Sequence, residues 1–125
     1  MASCDLVTFI LKPSELAALL TAATGTKYTA RSLLKLGERI VALHRTYNNR
    51  CGVTRKDDIL APRQLEPTKE GGNAGKAPDM EVMLKEYYKA SGWNPSGKPS
   101  RKTLESLGLM DVARDLYGPN KRMKV

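Results

Sequence analysis

Residues 28–58 read YTARSLLKLGERIVALHRTYNNRCGVTRKDD, Tyr28 to Asp58, and the change of pattern within this stretch decides the fold. Leu33, Leu36, Ile40, Leu43 and Tyr47 recur at spacings of 3, 4, 3 and 4. They form a narrow apolar seam sustained for over four helical turns, widened by Leu34 and Val41. Thr29 is placed to cap the start and Asn48-Asn49 to end it. The spacing predicts a helix over 30–49, roughly 30 Å long. Gly37 interrupts that helix at a cost of up to ~1 kcal/mol relative to alanine, and close approach of another helix or backbone is one use for it. From Arg50 onward the helical period is gone.

Working outward, Lys12 to Gly25 reads as an earlier helix, with Pro13 in its first turn, Glu15 near its positive end and Gly25 as the stop. Before it, the β-branched run around Val7 to Ile10 has no second strand to pair with, so an extended segment or short helix is expected. Residues 50–78 hold Pro62, Pro67 and Pro78 and glycines 52, 71, 72 and 75. Val53, Ile59, Leu60 and Leu65 suggest that the first half drapes over a surface, while Thr68 to Ala77 reads as flexible. Asp79 caps a helix from Met80 to Ala90, with Met80, Met83, Leu84 and Tyr87 on one face and Trp93 placed to fold back onto it. Short helices follow over 100–107 and 110–117, separated by Gly108. The expected fold is all-α, with four to five helices and one long irregular excursion at about 50–78. Residues 1–118 are expected to form a single helical domain and 119–125 a basic flexible tail.

Bulk properties narrow the function classes. Hydrophobic residues make up 41% and charged residues 27% of the chain, a balance that fits a globular protein. The longest apolar run, Leu6 to Leu11, is far short of the ~18 residues of a membrane span. It also lacks the basic lead of a signal peptide, so no membrane association is expected and the cytoplasm is the expected compartment. The net charge of +8 points to acidic partners, of which nucleic acid is a common one. Arg31, Lys35 and Arg39, with Arg45 and Arg50 beyond, are the candidate phosphate contacts, but no nucleic-acid motif accompanies them. Cys4, Cys51 and His44 are too few for a four-ligand metal site, and His44 reads as a core or interface residue. Asp57-Asp58 reads as a turn or cap rather than an acid–base pair. No nucleophile and base share a suitable spacing, so no catalytic residue is assigned.

Several short pieces in a fixed order carry a resemblance. They are TGTKYT (24–29), LLKLGERIVALHRTYNNR (33–50), Gly52-Val53 with TRKDD (54–58), and Pro62-Arg63 followed by Glu66-Pro67. Next come MLKEYYKASGW (83–93), Gly97 with Pro99, and LESLGLMDVARDL (104–116). Together they resemble the C-terminal region of the tungsten-containing aldehyde:ferredoxin oxidoreductases. The resemblance implies a complete enzyme with a tungsten bis-pterin cofactor and an iron–sulfur cluster, which oxidises aldehydes to carboxylates and passes electrons to ferredoxin. This chain lacks the cofactor-cradling domain, so no cofactor is expected in the isolated chain and it is not expected to be competent alone. The family's fourth cluster cysteine belongs to a motif resembling Asp-x-x-Gly-Leu-Cys-x-Phe. Counting back from Phe9 puts Val7 and Ala2 at the cysteine and aspartate, whereas a slip in register makes Cys4 the candidate iron–sulfur ligand and Asp5 its polar neighbour.

The family's Asn-x-Arg-x-Gly and Thr-Arg-x-Asp-Asp pieces fall on Asn48, Arg50, Gly52, Thr54, Arg55, Asp57 and Asp58. Their expected role is structural, with Arg50 pinning the irregular segment through bidentate contacts. The implied partners are the remaining domains or a companion chain, with ferredoxin for the complete enzyme and self-association as a further expectation. A stand-alone helical binding module without redox activity is the alternative, ahead of a basic nucleic-acid-binding domain.

Overall fold

A computed structural model of the chain describes residues 10–118. Cys4 and Asp5 and the basic tail at 119–125 lie outside the described residues. Six α-helices and one 3-10 turn occur among them, joined by loops, so the fold is all-α as expected. The residues cluster into two compact units that meet in sequence between Val41 and Ala42. No helix of the described residues is long and apolar enough to cross a membrane.

In the first unit, α1 (Pro13–Thr24) starts where the Glu15 carboxylate accepts the Lys12 N–H at 2.7 Å. It stops at Gly25, whose φ of 71° is left-handed and whose N–H reaches the Thr21 carbonyl at 2.9 Å. The Thr21 hydroxyl donates to the Ala17 carbonyl and accepts the Tyr28 N–H at 2.9 Å, which fixes the turn into the next helix. Thr29 and Ser32 then exchange side-chain and backbone bonds at 2.8 and 3.1 Å. This reciprocal cap opens α2 (Ala30–Arg50), continuous through Gly37.

The second unit has its core at Ala42, Leu104, Leu107, Leu109 and Ala113, with Val112 and Leu116 packed against it. Ser100 caps α5 (Arg101–Ser106) by accepting the Thr103 N–H, and Gly108 turns the chain into α6 (Met110–Tyr117). The Leu109 N–H bonds back to the Leu104 carbonyl at 2.9 Å, which brings both leucines inward. Tyr117 donates to the Pro99 carbonyl, and Arg101 donates to that of Gly118, each at 2.7 Å, closing the end of α6. α4 (Met80–Ala90) is capped by Asp79, which accepts from the Glu81 and Val82 N–H groups.

Two expectations are corrected. The apolar seam of α2 is not its packing face: Leu36, Ile40, Leu43 and Tyr47 are 41, 46, 42 and 66% exposed. The buried residues of α2 are Ala42, Arg45 and Thr46. Small side chains occupy the core side, where Ala42 packs with the leucines from α5 and the turn after it. Similarly, α4 buries Tyr88 rather than Met83 or Tyr87.

The excursion is also less irregular than its composition suggests. It contains a 3-10 turn at Arg55–Asp57 and a one-turn helix, α3 (Pro62–Leu65). Residues 68–76 close on themselves: Thr68 Oγ1 donates to the Asn73 carbonyl at 2.5 Å, and the Gly75 N–H donates to Thr68 at 2.8 Å.

Candidate functional site

The most heavily bonded group in the second unit is built around Arg45. Lying next to Thr46 on the buried side of α2, its guanidinium reaches across to the segment after the helix. Nη1 and Nη2 donate to the two oxygens of Asp58, both at 2.6 Å. Nε donates to the Gly97 carbonyl at 2.6 Å. The Tyr88 hydroxyl donates to the same Asp58 carboxylate, and the Arg45 guanidinium lies 5.3 Å from the Trp93 ring centre. Trp93 is held edge-on to Tyr87 at 5.3 Å, and its backbone N–H donates to the Tyr88 carbonyl at 2.8 Å. One arginine therefore ties α2, the 54–58 turn, α4 and the 94–99 turn together.

Gly97 makes this possible. Its φ is 76°, and a Cβ there would sit 2.3 Å from Arg45 Nη2 and 3.0 Å from the Tyr88 hydroxyl. A side chain at that position would be strained by the left-handed backbone and would have to displace the Arg45 nitrogen that holds Asp58.

The electrostatics follow the geometry. Burial works against the Asp58 charge, but hydrogen bonds from Arg45 and Tyr88 and the charges of Arg45 and Arg55 outweigh it. Its pKa is held below the usual carboxylate range. Burial, then the bond to Asp58, pushes the Tyr88 hydroxyl up.

Next to this cluster lies a cleft of about 510 Å³ lined by Arg55, Glu81, Lys85, Tyr88, Lys89 and Trp93. Arg55 pairs with Glu81 at its rim and lies 5.7 Å over the Tyr88 ring, while its Nη1 is buried without a hydrogen-bond partner. Cationic and aromatic walls suit a carboxylate or phosphate carried on a flat body.

The residues singled out in the sequence are dispersed. Asp58 and Arg55 belong to the Arg45 cluster and its cleft. Asp57 caps the 3-10 turn, accepting the Thr54 N–H at 2.7 Å. Gly52 turns the chain after α2 with φ 92°. The Asn48 carbonyl accepts the Val53 N–H at 3.0 Å, and its side chain lies with Leu43, His44 and Tyr47 along an open groove. Arg50 pairs with Asp115 at 2.6 Å on the surface. The arginine that pins the segment is thus Arg45, which the sequence placed with the basic stripe. Its partners Tyr88, Trp93 and Gly97 were not anticipated. A buried arginine and an exposed one look alike in a helical pattern, although its position between Ala42 and Thr46 hints at the inner face.

A family model described as aldehyde ferredoxin oxidoreductase, domains 2 and 3, matches residues 1–109, and the chain belongs to that family. It is 39% identical over 110 residues to a tungsten-containing aldehyde ferredoxin oxidoreductase of Pyrococcus furiosus, covering 86% of this chain and 18% of the relative. The corresponding protein of Thermococcus kodakarensis is 36% identical over 110 residues, with the same coverage. An aliphatic sulfonate oxidoreductase, WOR-like subunit, of P. furiosus is 36% identical over 74 residues, 57% of this chain and 12% of the relative. Among solved structures, the active-site complex BamBC of benzoyl coenzyme A reductase with 1,5-dienoyl-CoA superposes with a TM-score of 0.65. The identity there is 28%, over 82% of this chain and 15% of that one. The chain therefore spans about a fifth of the length of its tungsten-containing relatives.

The described residues offer no ligand set for the implied iron–sulfur cluster. No three of their His, Cys, Asp or Glu side chains are grouped to hold a metal ion. An iron–sulfur cluster takes four thiolates, and the one cysteine among them, Cys51, is exposed.

Proposed function

We propose that this chain is the C-terminal helical part of a tungsten-pterin, iron–sulfur aldehyde:ferredoxin oxidoreductase and is not competent alone. Such an enzyme converts an aldehyde and water to a carboxylate and passes the electron pair to ferredoxin. The observation that carries the reading is the family match over residues 1–109. In it, residues 1–118 act as one helical domain with a basic tail at 119–125, in the cytoplasm. The remaining domains, in the same polypeptide or a companion chain, bring the cofactors. Cys4 is the candidate cluster ligand, with Asp5 beside it. Arg45, Asp58 and Tyr88 do no redox chemistry; they hold the helices and the 54–58 turn in place. The cleft beside Trp93 favours a second reading, a stand-alone binding module without redox activity.

The test is a chimera of the P. furiosus relative in which the matching segment is replaced by this chain. The expected result is a protein that contains tungsten and iron and reduces ferredoxin with an aldehyde, with Cys4→Ser lowering the iron content. This chain alone is expected to be inert. A folded chimera without metal or turnover, or turnover by the chain alone, overturns the proposal.

A further inference from the structure

Lys85 and Lys89 line the cleft beside Trp93, and among the described residues neither forms an ion pair. They stand four residues apart on α4, where like charges repel. We propose that this cleft binds a phosphate monoester carried on a flat heteroaromatic body, a nucleoside monophosphate in chemical class. The proposal gives the binding-module reading a ligand and holds equally for a chain that is part of an oxidoreductase.

Every wall of the cleft belongs to the second unit. Arg55 opens the 3-10 turn, and its backbone N–H donates to the Ser96 carbonyl at 3.3 Å, which fixes the root of its side chain. Its guanidinium lies over the Tyr88 ring, and 27% of the side chain is exposed. The carboxylate paired with it, Glu81, is 83% exposed, so water screens that pair and a ligand anion can take its place. Nη1 of Arg55 is buried with no hydrogen-bond partner among the described residues, a cost that the pair with Glu81 leaves standing. A phosphate engages two guanidinium donors at once, so a small swing of Arg55 into the cleft would satisfy Nη1 as well.

Charge selects the anion. Arg55, Lys85 and Lys89 stand against Glu81 alone in the lining of the cleft, an excess of two positive charges. A phosphate monoester carries about −1.5 to −2 at neutral pH and matches that excess, whereas a monocarboxylate leaves half of it unbalanced. Trp93 selects the body. It is half-buried, held edge-on by Tyr87 and tied by its backbone N–H to Tyr88, so the indole is in place before a ligand arrives. A fixed indole offers a heteroaromatic ring a stacking surface at little cost in side-chain entropy. The same cations turn away a positively charged ligand that an aromatic wall would otherwise attract.

The test titrates the full 125-residue chain with AMP, adenosine and inorganic phosphate, followed by calorimetry and by the emission of its single tryptophan. The expected result is saturable one-site binding of AMP that changes Trp93 emission, with adenosine and phosphate each weaker by about tenfold or more. Lys85→Glu/Lys89→Glu, at two exposed positions, should abolish binding with helicity unchanged. Glu81→Gln should tighten it by about threefold, because it removes the carboxylate that competes for Arg55. Changes of opposite sign are not what a merely structural role produces. No AMP binding by the folded chain overturns the proposal, as does unchanged binding in the lysine variant or weaker binding in Glu81→Gln. Inorganic phosphate bound as tightly as AMP overturns the assignment of a flat body. A single-stranded oligonucleotide bound about tenfold more tightly than AMP, with a steep salt dependence, assigns the cleft to nucleic acid and overturns the proposal. No metal or aldehyde enters these titrations, so their failure leaves the family reading untouched, and a chimera without turnover leaves AMP binding standing.

Discussion

Arg45 and Arg50 stand on the same helix, are both paired with an aspartate, and differ in what water does to each pair. The Arg45 and Asp58 side chains are 10 and 19% exposed, whereas Arg50 and Asp115 are 61 and 49% exposed. Arg45→Ala and Asp58→Asn are each expected to destabilise the chain by about 3 kcal/mol, because each strands a sheltered charge. Arg50→Ala should cost less than about 1 kcal/mol, since an exposed pair is well screened. Chemical denaturation of the three variants measures the contrast. The pH dependence has a definite sign. Asp58 titrates lower in the folded chain than in the unfolded one, so on acidification the unfolded state takes up its proton first. The contribution is whole above about pH 4 and is lost as pH falls through the lower folded value. Tyr88 is shifted upward, so its contribution is whole below about pH 10 and is lost as pH rises through the folded value. Urea midpoints followed from pH 5 to pH 2 should fall less steeply for Asp58→Asn than for the parent. In the sequence, Asp57-Asp58 was legible as a turn. What was not legible is that one of the two aspartates caps and the other neutralises an arginine, because that depends on chain segments brought together only by folding.

At the scale of elements, helix ends were the most legible features, because the atoms that cap a helix lie within a few residues of it. Gly25, Thr29, Asp79, Ser100 and Gly108 all act where the sequence placed them. The faces were less legible. Apolar periodicity in α2 identifies the side that avoids water, not the molecule that covers it, and in this chain the buried side is the one bearing Ala42 and Thr46. In the excursion, hydrogen bonds close a turn over residues 68–76 that the glycine-rich composition did not make legible. Gly37→Ala separates a local from a distant role. In the isolated chain it should raise stability by up to ~1 kcal/mol, read as a higher denaturation midpoint, since the position is helical and open. No gain would mean that the glycine already serves a purpose within the chain.

For the whole molecule, the sequence motifs led to the family because they are spread through the chain in a fixed order, and the match over residues 1–109 bears that out. The basic balance pointed less clearly: Arg45 is committed to Asp58 in a sheltered pair and Arg50 to Asp115 on the surface, so neither guanidinium is free for a phosphate. The chain contains one tryptophan, and it sits beside the guanidinium that holds the second unit together. Trp93 is therefore a resident optical gauge. Its emission should follow the loosening of the Arg45 cluster and be blind to events confined to α1, so a far-UV circular dichroism change with no fluorescence counterpart would mark melting in the first unit.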